Sequence, residues 1–241
     1  MPKKLPSLSV FFPAYNEEAN MPHLLAETFE VMPKFTRKLE VIVVNDGSQD
    51  KTAQVVKKWQ KKHPNLKLVS HRENKGYGAA LKSGFKAASY DWIFFTDADL
   101  QFDLKEFSKF IEYTDKYKAV LGYRVNRAEG FHRALNAKLL KFFVDALFRV
   151  HVKDIDCAFK LLKADIIKPL KLESDGAFVS SEMLYRLKKN KVKFKQLPVS
   201  HYPRKWGSST GANPLVILRA MRDAFKIYWQ TKVGRLKEGK W

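Results

Sequence analysis

Short runs of apolar residues alternate along the chain with longer stretches in which apolar positions recur every three or four residues. The runs predict strands at Leu8 to Phe12, Glu40 to Asn45, Leu66 to Ser70, Trp92 to Thr96 and Ala119 to Tyr123. Helices are expected between them, at Glu18 to Val31, Asp50 to His63, Tyr77 to Ala88 and Leu104 to Tyr113. The run from Trp92 is apolar throughout, the mark of a strand covered on both faces. This rhythm predicts an α/β fold with a mostly parallel central sheet flanked by helices. Right-handed crossovers then gather the strand C-terminal ends at one edge, where such sheets bind ligands.

After residue 125 the rhythm changes. A long helical pattern covers Phe131 to Val150, and Asp154 to Leu162 reads as a loop leading into a strand. A helix is expected at Ser180 to Lys189, a strand at Lys193 to Val199, and a polar loop at His201 to Asn213. Pro214 suits the first turn of a last helix. Residues 1–213 are therefore read as one catalytic domain, and 214–241 as a basic amphipathic helix.

Three predicted strands end in polar loops. The first leads into Pro13-Ala14-Tyr15-Asn16-Glu17, the second into Asp46-Gly47-Ser48, the fourth into Asp97-Ala98-Asp99-Leu100-Gln101. Asp97 and Asp99 are two residues apart and project the same way. Left unpaired they repel and raise each other's proton affinity, and a hard divalent cation resolves this with oxygen ligands. Mg²⁺ or Mn²⁺ keeps one or two carboxylates and completes its octahedron with phosphate and water, so Asp-x-Asp reads as a metal–diphosphate site. Gln101 adds a contact to the metal or its water. Asp46 can accept a hydrogen bond from a base or ribose, Tyr15 can lie against a ring, and Glu17 is a ligand contact or a helix acid. Asp50 suits a helix cap and Glu18 a structural acid. Gly76 and Gly78 precede a helix and permit close packing or backbone approach to a ligand.

Charge narrows the partners. The chain of 241 residues carries 45 Lys+Arg against 25 Asp+Glu, a net +20. Such a charge favours polyanions. No nucleic-acid reading module is recognisable, which disfavours nucleic acid and leaves anionic membrane surfaces and phosphorylated substrates. From Arg219 to Trp241 there are seven Lys/Arg and two acids, interleaved with Leu218, Met221, Phe225, Tyr228 and Trp229 on one helical face. That is a membrane-surface pattern; packing on the domain is the alternative. No run of about 18 uncharged apolar residues occurs, so no bilayer-spanning helix is expected. No signal-peptide pattern is present, and one cysteine, Cys157, permits no internal disulfide. The expected location is cytoplasmic, peripheral to a membrane.

Several segments together resemble family 2 glycosyltransferases of the GT-A type, and among them the polyprenyl-phosphate glycosyltransferases. They are Phe11–Met21, Val41–Thr52, Glu73–Phe85, Trp92–Gln101, Gly122–Arg124, Asp154–Leu162 and Ser200–Gly211. Asn45 departs from the second Asp many members carry. The Gln-x-x-Arg-Trp motif of processive synthases is absent, since Lys205 separates Arg204 from Trp206. The resemblance implies that Pro13, Tyr15, Glu17 and Asp46 hold the nucleoside, with Asp97 and Ala98 also lining it. It implies that Asp97, Asp99 and Gln101 hold Mg²⁺ or Mn²⁺ and the diphosphate. Arg124, Arg133 and Arg204 would face phosphates, with Ser208 and Ser209 as weaker contacts. Asp156 would lie on the acceptor side, as a base or as an orienting group.

The activity implied is inverting transfer of a hexose from a UDP- or GDP-sugar to polyprenyl phosphate, with a membrane-embedded partner subunit a further implied partner. Three readings compete. A soluble acceptor would need no lipid. A nucleotidyltransferase would want a Gly-rich basic loop after the first strand, which this chain lacks. A non-catalytic basic module would leave Asp97 and Asp99 without metal.

Overall fold

In the computed structural model, residues 3–125, 145, 147–207 and 214–232 are described. Seven strands form one sheet: β1 (Leu8–Ala14), β2 (Leu39–Asn45), β3 (Leu66–Ser70), β4 (Trp92–Phe95), β5 (Ala119–Val125), β6 (Lys160–Lys163) and β7 (Phe194–Ser200), in the spatial order β3-β2-β1-β4-β6-β5-β7. The helices are α1 (Met21–Val31), α2 (Thr52–Gln60), α3 (Tyr77–Ala87), α4 (Phe107–Ile111), α5 (Ala164–Ile167), α6 (Val179–Lys189) and α7 (Pro214–Lys232). The expected α/β architecture is present.

The sheet is parallel apart from β6, which runs antiparallel to both β4 and β5. The hydrophobic pattern carries no strand direction, so this reversal was not foreseen. It matters for the site. β6 starts where β4 ends, with Lys160 opposite Phe95 in register. The loop before β6 therefore opens on the same edge as the loops after β1, β2 and β4.

Both central strands are buried along their whole length, as their uninterrupted apolar sequences require. Phe11 stacks on Phe95, and Phe85 of α3 meets both rings edge-on. Phe94, Phe107, Phe110 and Phe159 continue the core towards β5 and β6.

Two expected helices are altered. Leu104 to Tyr113 divides into a tight 3-10 turn at Leu104–Glu106 and the short α4, because the Asp103 carboxylate accepts from the Lys105 N–H and caps a narrow turn. The helix expected from Glu18 begins at Met21, since residues 17–20 form a turn whose polar groups tie to the β2 loop. Most of the pattern from Phe131 to Val150 lies outside the described residues; Asp145, Leu147 and Phe148 near its end are helical.

Candidate active site

The Asp97–Gln101 loop leaves the buried end of β4. Asp97 is half-buried, while Ala98 and Asp99 are buried. Leu100 adopts φ 61°, a left-handed conformation rare for a branched apolar residue, and the Gln101 N–H bends back to Asp99 Oδ1 at 3.3 Å. The Tyr77 hydroxyl, at the start of α3, donates to Asp97 Oδ1 at 3.0 Å. Burial, and then the adjacent Asp99 charge, push the Asp97 carboxyl up to about 7. The Tyr77 hydrogen bond and the charges of Arg124 and Lys160 act in the opposite sense. Tyr77 is itself pushed well above the usual phenol value by burial and by Asp97, Asp156 and Asp99. It therefore stays protonated as a donor. Those three acids mark the centre of the site, and Asp156, exposed on the loop before β6, is one of them.

On the nucleoside side, β1 and β2 end in register at Ala14 and Asn45. Their loops are laced together. Asn16 Oδ1 accepts from the Gln49 N–H, Thr52 Oγ1 from the Glu17 N–H, and Glu18 Oε2 from the Lys51 N–H. Asp50 accepts from Thr52 and from the Glu18 N–H, so it caps the start of α2 as its residue type suggests. Pro13 is buried within β1 and Tyr15 is half-exposed beside it. Glu17 is buried and accepts from Asn20 Nδ2 and Arg204. Burial raises its carboxyl above the ordinary value, against the pull of those two partners.

Asp46, which the sequence offers as a base or ribose contact, also has a structural task. In the structure its carboxylate meets His71 Nδ1 at 2.6 Å and accepts from the Lys75 and Gly76 N–H groups at 3.0 and 2.9 Å. These bonds fix the loop that delivers Tyr77. Gly76 takes φ 96°, and a Cβ at Gly78 would lie 2.5 Å from the Ser174 carbonyl oxygen. The two glycines thus serve close backbone packing against residues 174–176. From the other side Asp175 O accepts the first N–H groups of α3, from Gly78 and Ala79.

The remaining arginines divide. Arg204 reaches across the sheet edge: one Nη donates to Glu17, and the other lies 3.7 Å from Asp99 Oδ2. Its segment is clasped to the Asp97–Gln101 loop, since Tyr202 N–H donates to Gln101 O and Gln101 Nε2 donates to Tyr202 O. Gln101, the expected contact to the metal or its water, uses its amide nitrogen in this clasp. Beyond Arg204, Trp206 stacks on His23 with ring centres 5.1 Å apart. Arg124 was expected to face phosphate. Its Nε and Nη2 instead form a paired contact with buried Asp154 at 2.8 and 3.0 Å. Its charge still reaches Asp97. Arg133, Ser208 and Ser209 lie outside the described residues.

A carboxylate pair, a phenol donor and an arginine at the carboxyl edge of a parallel sheet suit an anionic ligand carrying a cation. The family model for glycosyl transferase family 2 matches residues 9–170. The chain belongs to glycosyl transferase family 2. It is 33% identical over 180 residues to a dolichyl-phosphate beta-glucosyltransferase of Trichomonas vaginalis, covering 68% of this chain and 55% of the relative. It is 32% identical over 163 residues to an undecaprenyl-phosphate 4-deoxy-4-formamido-L-arabinose transferase of Aeromonas hydrophila, covering 66% of this chain and 50% of the relative. The chain thus spans about half the length of these two relatives. Among solved structures it resembles glucosyl-3-phosphoglycerate synthase from Mycobacterium tuberculosis, in complex with Mn²⁺, UDP and glucosyl-3-phosphoglycerate. The TM-score is 0.67 at 19% identity, covering 95% of this chain and 80% of the other. The fold is the GT-A fold.

The family 2 site fits a divalent cation on its own chemistry. Two acids held side by side, one pushed to about 7 by burial and by the other's charge, form an excess of negative charge that a cation relieves. Among the described residues no group of three or more His, Cys, Asp or Glu could hold a metal, so protein ligands alone would leave positions for phosphate and water. Sequence reasoning missed Tyr77, which holds Asp97, and Lys160, which lies beneath the site. Tyr77 enters the sequence pattern only as the first residue of an expected helix. Lys160, in the apolar run of β6, is completely buried, which for a lysine is rare and calls for partners.

Proposed function

We propose that this family 2 member moves a hexose, with inversion, from a nucleotide-diphosphate sugar to a polyprenyl phosphate at the cytoplasmic face of a membrane. The observation that carries this reading is the convergence of Asp97, Asp99, Asp156 and Arg204 at one sheet edge, beside a half of the molecule that exposes large apolar side chains. The names of the relatives add support for a polyprenyl phosphate acceptor.

The acceptor phosphate oxygen attacks the anomeric carbon while the bond to the nucleoside diphosphate breaks. A single displacement inverts the centre. The nucleophile is already an anion at neutral pH, so a strong base is not demanded, and Asp156 orients the acceptor side. The larger difficulty is holding two anions together. A Mg²⁺ or Mn²⁺ ion held by Asp97 and Asp99 would neutralise the donor diphosphate. Arg204 is the chain's own cation there; on donor binding it exchanges Glu17 and Asp99 for phosphate, where its planar fork pairs in two places. The loops around Pro13, Tyr15 and Glu17 hold the nucleoside.

Residues 1–213 form the transferase, and residues 214–241 rest on the bilayer. On α7, Ala220, Ala224 and Ile227 are buried, whereas Leu218 and Trp229 are 64% and 69% exposed. Arg222, on the same helix, is exposed and basic. None of the described helices is long and apolar enough to cross a membrane. Such a face suits an anionic headgroup region. The test is a screen of UDP- and GDP-sugars with polyprenyl phosphate, Mg²⁺ or Mn²⁺ and detergent. Radiolabel in the lipid fraction supports the reading; donor turnover that needs only a soluble acceptor contradicts it.

A further inference from the structure

Lys160 is the one fully buried lysine among the described residues, and the reaction as drawn does not use it. It stands at the first position of β6, opposite Phe95 on one side and Leu121 on the other. Burying a lysine without partners is costly, and its ammonium has backbone carbonyls as hydrogen-bond partners, with the charges of Asp154 and Asp156 in reach. Nζ donates to the Ile155 carbonyl at 3.1 Å and to the Cys157 carbonyl. These two carbonyls flank Asp156 on either side. The ammonium also lies 5.7 Å from the centre of the Phe95 ring, the last residue before the loop of Asp97 and Asp99.

Two further contacts hold the same turn from outside. Arg124 fastens Asp154. The Gly122 N–H donates to Phe159 O at 2.8 Å, and a Cβ at Gly122 would meet that oxygen at 2.9 Å and the Cys157 sulfur at 3.1 Å. Residues 154–159 thus have anchored ends, and the lysine reaches the interior of the turn. The side chain of Asp156 points outward from it, exposed, within the electrostatic reach of Tyr77 together with Asp97 and Asp99.

We propose that Lys160 is a positioning residue: its buried ammonium grips the carbonyls on both sides of Asp156 and thereby fixes that carboxylate against the donor site. The turn is a short loop without regular backbone pairing of its own. A single cation between two carbonyls replaces the missing ladder. The consequence for Asp156 follows from geometry, since a displacement of about 1 Å at a reacting centre costs on the order of 10²-fold in rate. The consequence for function rests on the acceptor reading of Asp156; the consequence for the turn does not.

Lys160→Met keeps the length and apolar stem of the side chain and removes the donors. Hydrogen exchange of the intact protein comes first. Amides of 154–158 are expected to exchange at least about tenfold faster in the variant, with those of β1 and β4 unchanged. Unchanged exchange in the turn overturns the proposal. Binding of Mn²⁺ with UDP, and in parallel with GDP, is expected to stay within about twofold of wild type, while transfer falls by about 10²-fold. Equal losses of nucleotide affinity and transfer would place Lys160 in the donor site and overturn the assignment. In an Asp156→Asn background, Lys160→Met should cost nothing further, and multiplying losses overturn it as well.

If Lys160→Met does not fold, Lys160→Arg decides. It retains charge and donors, and should keep both the slow exchange of the turn and transfer within a few-fold of wild type. A variant with an intact turn and lost transfer refutes the positioning role. A wild-type protein that never glycosylates polyprenyl phosphate removes the acceptor reading and leaves the exchange result standing.

Discussion

The two halves of the sheet solve opposite problems. From β1 to β4 the strands are parallel, their loops are tied by hydrogen bonds between neighbours, and no large apolar side chain is exposed. Beyond Arg124 the sheet reverses at β6, and a buried lysine and buried ion pairs hold the loops. Every exposed large apolar residue among those described lies here: Val125, Tyr202, Trp206, Leu218, Met221, Phe225 and Trp229. On the proposed function, the first half cradles the polar donor, and the second offers apolar surface beside basic side chains to a lipid phosphate. The halves meet at Tyr77, which the Asp46-bound loop delivers from one side and the 173–175 loop, held by Glu182, supports from the other.

The sharpest way to break this division is at the carboxylates. Asp97→Ala or Asp99→Ala should abolish transfer, a loss of at least about 10³-fold, with an unchanged circular dichroism spectrum. Removing the metal with EDTA should reproduce the loss. Full turnover in either variant would sever the cradle from the chemistry. Arg204→Ala comes next, with transfer reduced on the order of 10²-fold and nucleoside binding nearly preserved. Equal losses in both would move Arg204 wholly into the donor half.

Tyr77→Phe sharpens the junction. Partners of a metal-binding carboxylate commonly tune affinity by about tenfold or more, so Mn²⁺ binding, followed by electron paramagnetic resonance, should weaken by about tenfold. No change would make the Tyr77–Asp97 contact purely structural.

The second half is tested on vesicles. Leu218→Gln with Trp229→Gln should weaken sedimentation with phosphatidylglycerol vesicles by about tenfold. Replacing Arg222 and Lys226 by Gln should cost about fivefold each at low salt, at ~1 kcal/mol per charge, and almost nothing at high salt. Equal binding to neutral and anionic vesicles would remove the electrostatic part of the account.

The effect of pH comes last. Asp97 holds its proton up to about 7 in the folded protein, against 3.8 ordinarily. Between those values the folded state binds a proton that the unfolded chain has released, so this contribution favours folding at lower pH and fades as pH rises through 7. Mn²⁺ competes with that proton. Its affinity should fall by up to about tenfold per pH unit below 7, and a flat titration would contradict the assignment.

Much of this was legible beforehand, for reasons that can be named. Long apolar runs with polar ends, such as Trp92 to Asp99, announce both a buried strand and the loop at its carboxyl end. Direction was not legible: Asp154 to Leu162 reads as a loop leading into a strand, and only the antiparallel register of β6 beside Phe95 puts the lysine under the site. Asp46 illustrates the same limit. A carboxylate after a strand announces a hydrogen-bond acceptor, but its donors come from residues 71, 75 and 76, which the chain brings back only on folding. Arg124, which the family resemblance places at phosphate, has a partner the sequence does not announce: Asp154, 30 positions away.

The central claim is that one metal–diphosphate is gathered between Asp97 and Asp99 at the edge shared by the two halves. Anomalous diffraction at the manganese edge, from crystals grown with Mn²⁺ and a nucleoside diphosphate, tests it most directly. The account predicts a single strong peak in contact with those two carboxylates, with Arg204 turned from Glu17 to the phosphates. A peak elsewhere, or none while the nucleotide is bound, would contradict it.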